Sequence, residues 1–276
     1  MSRIIPNRQA RRLFLAAQGL ASQPTGKLTR QSLYEMIENL GFVQVDTVNA
    51  VCRAHHHILH ARNQGYRERM LPPLLERERR LFEHWTHDAS IIPTLWYPHW
   101  HHRFDRLRKK FESSKNWAER IGTPETVEEV RRHIEAEGRV SSADFADRSE
   151  RTGPWWGWSR HKAALEYLWF TGELSIAGRE GFRKIYDLTE RVIPEEIRAT
   201  GRSDEEEHVE WACRTALDRL VIATHGELAA FWEAIGRRRP RPGARRKWGN
   251  PSFRSRSRAR MASCATPSLR PMSRSG

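Results

Sequence analysis

The most constraining feature of this sequence is a change of hydrophobic period after Gly172. From 124 to 171, apolar residues recur at the spacing of amphipathic helices, and turn residues separate three such segments. Beyond Gly172, apolar and polar residues alternate over 173–177 and 182–188, which predicts two strands. Three helices followed by a β-hairpin is the layout of a winged helix, so we predict this fold for 124–194.

Basic residues occupy the positions from which such a fold contacts nucleic acid. Arg160, His161 and Lys162 open the third helix, and Arg179 lies where the hairpin turns. Because phosphate and base-edge contacts are commonly made from these positions, we expect all four side chains to contact DNA. A winged helix can also form a protein–protein interface, and between the two we favour DNA.

The first hundred residues show a looser version of this pattern, with helices predicted at 8–21, 29–39 and 48–61 and a strand pair at 82–86 and 89–92. The predicted fold class is mainly α with small β-hairpins (α+β). Its predicted parts are a first winged-helix-like module (1–103), a basic connecting helix (104–123), a second winged helix (124–194), an incomplete third module (203–236) and a basic tail (237–276). Because the third module is incomplete, we expect the apolar face of its helices to be exposed.

The net charge of +14 arises almost entirely from the tail. Residues 237–276 contain thirteen Lys and Arg and no Asp or Glu, whereas the other 236 residues carry 35 basic and 34 acidic side chains, a net of +1. The tail shows no apolar periodicity, and we expect it to be disordered. It is either a phosphate-binding arm or the product of a shifted reading frame, and we favour the second interpretation.

Several other classes of function are disfavoured. No apolar run approaches the roughly 20 residues that span a bilayer, and Cys52, Cys213 and Cys264 lack the spacing of metal ligands or disulfides. The thirteen histidines form clusters but no zinc-binding frame, so we predict no metal and no cofactor. The tryptophans at 155–158 could stack on bases, although packing in a small core is the favoured interpretation.

Gln44 and Asp46 form the most informative pair of polar residues. They stand two positions apart in the apolar run 40–48, and in a strand such side chains point to the same face. A carboxylate among apolar residues is costly unless something pairs with it. In one interpretation, Asp46 orients a water molecule and stabilises positive charge beside Gln44. In the other, Asp46 or Thr47 caps a helix that begins near Val48. Local sequence alone favours the cap.

An ordered set of motifs extends this observation over most of the chain. These are LGFVQVDTVN at 40–49, AHHH at 54–57, EHWTHDA at 83–89, SADF at 142–145, WWGW at 155–158 and IYDLTERVIP at 185–194. Together they resemble the YcaQ-like winged-helix DNA glycosylases, bacterial enzymes also called AlkX and AlkZ, which act on alkylated bases and unhook interstrand crosslinks. The resemblance covers about residues 8–235.

The resemblance implies a monofunctional DNA glycosylase in which the family's Gln-x-Asp motif falls on Gln44 and Asp46. Asp46 is then expected to stabilise the oxocarbenium ion and activate water, and Gln44 to orient that water. Four histidines are secondary candidates for lesion or backbone contacts, namely His55, His56, His57 and His87. The implied partner is double-stranded DNA carrying alkylated or crosslinked bases, bound by a cytoplasmic bacterial monomer with no cofactor and no membrane contact.

Relatives in this family continue through a complete third winged helix and a β-rich C-terminal domain, whereas this chain departs from that pattern near residue 235. The expected C-terminal part is therefore truncated. Two alternatives to the active glycosylase stay open on this basis, a non-catalytic winged-helix regulator that binds DNA and an inactive fragment of the enzyme.

Overall fold

The computed structural model describes residues 5–115, 124–145 and 160–233. The tryptophans at 155–158, the second part of the predicted connecting helix and the basic tail lie outside the described residues. Within the described residues, the protein is helical with small antiparallel sheets, as predicted. No helix in this part is long and apolar enough to cross a membrane.

The first half of the chain surrounds a three-stranded antiparallel sheet with strand order β1-β3-β2. The strands are β1 (Val43–Gln44), β2 (Leu81–Trp85) and β3 (Ala89–Pro93). The helices are α1 (Asn7–Ala17), α2 (Arg30–Leu40), α3 (Ala54–His60) and α4 (Tyr97–Glu112). One face of the sheet packs on α2 and α3 through a core that includes Leu33, Ile37, Leu59 and Ile91.

Local sequence signals fix the limits of α2. The Thr29 hydroxyl accepts a hydrogen bond from the Ser32 amide, and the Ser32 hydroxyl accepts one from the Thr29 amide, which makes a capping box. Gly41 follows the helix with φ +91°, a conformation that favours glycine. The chain therefore turns directly from α2 into β1, and this turn places Gln44 at the edge of the sheet.

Among the described residues, the second half contains the first and third of the predicted helices and the predicted hairpin, whereas 142–145, where the second helix was expected, form a turn. The helices and strands of this half are α5 (Pro124–Glu137), α6 (Arg160–Phe170), β4 (Leu174–Glu180), β5 (Arg183–Leu188), α7 (Thr189–Val192) and α8 (Glu195–Arg198). β4 and β5 pair antiparallel and pack against α6 and α5 around Trp169 and Phe145. β4 also contacts β2, so the hairpin joins the two halves of the protein.

The C-terminal helices α9 (Glu205–Leu220) and α10 (His225–Phe231) pack against α4 and the end of β3. Ala212, Ala216 and Trp232 are buried there with Trp96 and Trp100. The expectation that these helices present an exposed apolar face was therefore wrong. Aromatic side chains of the first half bury the apolar face of these helices, which was expected to need the rest of a third module.

Some predicted boundaries were also wrong. The helix predicted at 48–61 is confined to α3, and the helix predicted to connect the modules from 104 already begins at Tyr97. The strand predicted at 82–86 spans Leu81–Trp85. Pro98 in the first turn of α4 suits a helix start, because proline lacks only a hydrogen bond that the first turn does not make. α1 buries none of its residues, although its spacing predicted an inward apolar face.

Candidate active site

Gln44 and Asp46 lie side by side at the edge of the first sheet. β1 pairs with β3, and the Val45 amide continues the ladder by donating to the Ala89 carbonyl at 2.7 Å. Val43 and Val45 are buried, whereas Gln44 and Asp46, which alternate with them, are half-buried. The alternation places both polar side chains on the face that points away from the core of the first half.

The Asp46 carboxylate is held by its own loop. Its Oδ1 accepts a hydrogen bond from the Val48 amide at 2.9 Å, which closes a turn of the kind that Asp commonly forms. α3 begins only at Ala54 and follows Arg53, whose side chain makes no cap. The hypothesis that Asp46 or Thr47 caps a helix near Val48 was therefore wrong. Among the described residues, the second carboxylate oxygen accepts no hydrogen bond, so it is available to a substrate or a water molecule.

His55 is a buried, neutral neighbour of this carboxylate. Burial, together with the smaller effects of the nearby His56, Arg179 and Arg53, lowers the pKa of His55 to about 3, whereas Asp46 opposes the shift. These mutual influences place Asp46, His55, Arg53 and Arg179 in one electrostatic neighbourhood. A neutral imidazole inside the protein cannot serve as the cationic phosphate contact that the sequence suggested.

The other two histidines of the run 55–57 lie in different surroundings. The His56 Nδ1 is 2.8 Å from the Tyr66 hydroxyl, and its Nε2 is 3.4 Å from a Glu68 oxygen. Burial lowers the pKa of His56 from its ordinary value. His57 is exposed. Of the three, only His57 presents its ring to solvent, since the helical turn carries His55 inward and His56 against Tyr66.

His87 lies at the turn of the β2–β3 hairpin and contacts the C-terminal helix. Its Nε2 is 2.9 Å from the Phe231 carbonyl oxygen, and its Nδ1 is 3.5 Å from a Glu233 oxygen. The imidazole also faces Phe42, with ring centroids 6.1 Å apart. This placement differs from the expected lesion contact, because both ring nitrogens are directed at the end of α10.

Arg179 is engaged inside the protein rather than presented to DNA. Its Nε donates to Glu83 Oε2 at 2.9 Å, a second guanidinium nitrogen donates to the other carboxylate oxygen, and only 18% of the side chain is exposed. The Nη1 donates to the Phe182 carbonyl at 2.7 Å. The expected DNA contact is not available to this guanidinium, because Glu83 is buried on β2 and holds it.

Phe182, at the tip of the β4–β5 hairpin, lies between two guanidinium groups. The centre of the Arg53 guanidinium is 4.1 Å from the Phe182 ring centroid, and that of Arg179 is 4.4 Å away. Sequence reasoning missed Glu83, Arg53 and Phe182. A signal was present for Glu83, since an acidic residue inside the apolar strand LFEHW requires a partner.

The first residues of α6 divide between the surface and the core. Arg160 and Lys162 are exposed, whereas His161 is buried and stacks on Phe145 with ring centroids 5.3 Å apart. The His161 Nε2 lies 3.6 Å from a Glu129 oxygen on α5. His161 therefore packs between the two helices, because its position on α6 faces α5, and it is not placed to meet DNA.

A polar cleft of about 360 Å³ lies beside the hairpin. Side chains of both signs line it, including Glu76, Arg139, Asp144, Arg179 and Arg183. Because both acidic and basic groups line it, the cleft does not favour an anion by its charge. Among the described residues, no group of three or more His, Cys, Asp or Glu side chains is arranged to hold a metal ion.

Two comparisons with known proteins bear on the family of this chain. A family model described as DNA glycosylase AlkZ-like matches residues 37–260, a range that includes the first part of the basic tail. The chain is also similar to the solved structure of the Streptomyces sahachiroi DNA glycosylase AlkZ, with a TM-score of 0.54 and 12% sequence identity. The alignment covers 85% of this chain and 66% of that one, and at this identity it shows a shared fold. Because the family model spans most of the sequence, the chain belongs to the AlkZ-like DNA glycosylase family.

Proposed function

We propose that the protein is a monofunctional DNA glycosylase that hydrolyses the N-glycosidic bond of N7-alkylated purines and, by the same reaction, unhooks interstrand crosslinks. Gln44 and Asp46 are the catalytic residues of this proposal. Its partner is double-stranded DNA in the bacterial cytoplasm, and no cofactor takes part. Family membership supports the class of reaction, whereas the lesion preference rests on the chemistry of the site.

The observation that carries the proposal is the setting of the Asp46 carboxylate. One oxygen is fixed by the Val48 amide, and the carboxylate shares a half-buried face with the Gln44 amide. His55 beside it is neutral, and the Arg179 guanidinium is engaged by Glu83. Within the described residues, the Asp46 carboxylate therefore has no close ion pair that would cancel its charge. Such a charge stabilises a cation that forms next to it.

These groups suit the departure of an N7-alkylated purine. The alkylated base is already cationic, so the bond between C1′ and the base nitrogen breaks with its electron pair moving onto the base, which becomes neutral. The deoxyribose takes on oxocarbenium character, and Asp46 stabilises it. A water molecule oriented by the Gln44 amide attacks C1′, and the water's proton passes to the Asp46 carboxylate and then to solvent. No strong general acid is required because the leaving base needs no proton.

We further propose that the described helices and hairpins form tandem winged-helix modules, divided at about residues 103 and 124, that act as a monomer. Arg160 and Lys162 at the exposed start of α6 are the candidates for backbone contacts, together with the exposed His57. His161 and Arg179 then act inside the protein, where they hold α6 against α5 and the hairpin against β2.

Release of abasic sites from N7-methylated duplex DNA, followed by alkaline cleavage, tests the proposal. Asp46→Asn keeps an oxygen for the Val48 amide but removes the charge, so we expect a loss of about 100-fold or more in single-turnover rate. Asp204→Asn is the matched control. Asp204 caps α9 by accepting a hydrogen bond from the Glu207 amide, and asparagine caps almost as well.

The outcomes separate the alternatives. Release by the wild type and by Asp204→Asn, with loss in Asp46→Asn and unchanged DNA binding, supports the glycosylase. Sequence-specific binding to undamaged duplex with no base release by any of the three proteins would instead identify a regulator. Neither binding nor release would identify an inactive fragment.

A further inference from the structure

Two valines beside the candidate active site are exposed to an unusual degree. Val48 is 65% exposed and Val51 is 88% exposed, whereas Val43 and Val45, a few residues earlier, are buried. Val48 and Val51 belong to the loop between β1 and α3, which we call the 47–52 loop and which follows directly from Asp46. Exposed apolar side chains that adjoin a functional group commonly mark a binding surface.

The 47–52 loop is anchored at both ends. At its start, the Asp46 carboxylate holds the Val48 amide. Just beyond its end, the Arg53 guanidinium lies on the ring of Phe182, which the hairpin holds through Arg179. The two valines therefore stand on a short, tethered segment. Their β-branched side chains add stiffness, since they have few accessible rotamers.

The surroundings of the loop suit a polyanion. From Thr47 to Arg67 the sequence contains no Asp or Glu, and the positive charge of this stretch comes from its three arginines rather than from its four histidines. Among them, His57 and His60 are exposed on α3. The apolar tip of the loop is thus set in a region that attracts phosphate groups, which distinguishes it from a surface adapted to an acidic protein or a second copy of this chain.

We propose that the 47–52 loop is an insertion element in which Val48 and Val51 enter the base stack of the duplex next to the lesion. Apolar side chains that enter between base steps unstack the DNA and expose the target nucleotide. Insertion at this point brings the C1′ of the damaged nucleotide toward Asp46, because the loop and the carboxylate are joined by the Val48 amide. This inference rests on the proposed function and adds to it the means by which the lesion is reached.

The test uses the full-length chain and a duplex that carries N7-methylguanine with 2-aminopurine as its neighbour. The fluorescence of 2-aminopurine rises when it is unstacked. All proteins carry Asp46→Asn so that the base is retained during the measurement. We expect the Asp46→Asn protein to raise the fluorescence on binding, and the additional double substitution Val48→Ser/Val51→Ser to abolish most of the rise and weaken duplex binding about tenfold.

Val209→Ser is the matched control, since Val209 is an exposed valine in the acidic first half of α9. It is expected to leave fluorescence and binding unchanged. In the otherwise wild-type protein, Val48→Ser/Val51→Ser should slow base release from duplex DNA but not from single-stranded DNA of the same sequence, because a single strand offers no duplex to open. Equal urea unfolding midpoints for these proteins exclude a folding defect.

Two results obtained with the double variant would overturn the inference. One is an unchanged fluorescence rise in the double variant. The other is a concentration-dependent dimer of the wild type, seen by sedimentation, that the double variant loses, since the valines then bind a second copy. Failure of the proposed function gives a different result. If no base is released but the fluorescence rise still depends on the valines, the glycosylase proposal fails and the insertion proposal stands. If base is released but binding causes no fluorescence rise, only the insertion proposal fails.

Discussion

The ion pair between Arg179 and Glu83 is expected to be the most sensitive point of the contact between the two halves. The Glu83 side chain is 4% exposed, and Arg179 donates to both of its oxygens. Arg179→Met removes these donors while preserving much of the apolar length of the side chain. The Glu83 carboxylate would then be buried without a partner, a situation that costs far more than the loss of a surface ion pair.

The magnitude follows from this geometry. Leaving one member of a buried pair uncompensated lowers the free energy of unfolding by about 3–5 kcal/mol. Glu83→Gln removes the charge but keeps an oxygen that can accept a hydrogen bond from Arg179, so we expect it to cost about 1–3 kcal/mol. In the double variant Arg179→Met/Glu83→Leu no charge is buried. Its cost should therefore be clearly smaller than the sum of the single costs of Arg179→Met and Glu83→Leu.

Urea unfolding followed by tryptophan fluorescence measures these differences, provided that the m-value is unchanged. The control is Arg214→Met, because Arg214 and Glu210 form an ion pair on α9 with both side chains about two thirds exposed. We expect this control to change the free energy of unfolding by less than about 1 kcal/mol. The reasoning is refuted if Arg179→Met is no more costly than the control, or if the double variant equals the sum of its single variants.

Two further predictions concern stability. Burial lowers the pKa of His84 to about 3 from 6.5, so the unfolded chain binds more protons in this range and the free energy of unfolding should decrease as pH falls from about 6.5 toward 3. Urea unfolding at stepped pH measures this, and a constant value between pH 6.5 and 5 would contradict it. Gly172→Ala should cost about 3 kcal/mol or more, because φ is +82° and a Cβ would lie 2.6 Å from the Phe104 ring. Gly181→Ala, with φ +61° and open space around it, should cost only about 1–2 kcal/mol, and equal costs would refute the steric argument.

The sequence predicted those elements whose limits are encoded locally. The change of period after Gly172 correctly placed α6, β4 and β5. A local signal of the same kind begins α10, since the Thr224 side chain caps it. For α1 the helix was predicted correctly, but the burial of its apolar face was not found. Its amphipathic spacing indicates a face able to pack, but spacing does not specify a partner, and Leu13 and Phe14 remain exposed. The late start of α3 was also not predictable, because the Asp46 carboxylate closes a turn instead of capping a helix.

Predictions of individual contacts failed where a residue's charge was taken as a guide to its partner. Arg179 and His161 were assigned to DNA because they are basic and lie on elements that usually face a groove. In the structure Arg179 pairs with Glu83 and His161 stacks on Phe145. A sequence does not show which side chains of elements distant in the chain contact each other. For Gln44 and Asp46, the prediction of a common face needed only the two-residue period of a strand. The hydrogen bond from the Val45 amide to the Ala89 carbonyl keeps the chain extended between the two residues.

If the protein binds DNA as proposed, these placements limit where the charge that attracts the phosphates can come from. The residues described outside the tail are nearly neutral overall, and the hairpin tip directs Arg179 inward toward Glu83. Phosphate contacts must then be drawn from local concentrations of basic residues, of which the acid-free stretch from Thr47 to Arg67 adjoins Asp46 directly. A surface built in this way binds the backbone close to the carboxylate that would repel it. On the proposed mechanism the repulsion is tolerable, because Asp46 faces the sugar where positive charge develops, and the proposed insertion of the exposed valines adds affinity that does not depend on charge.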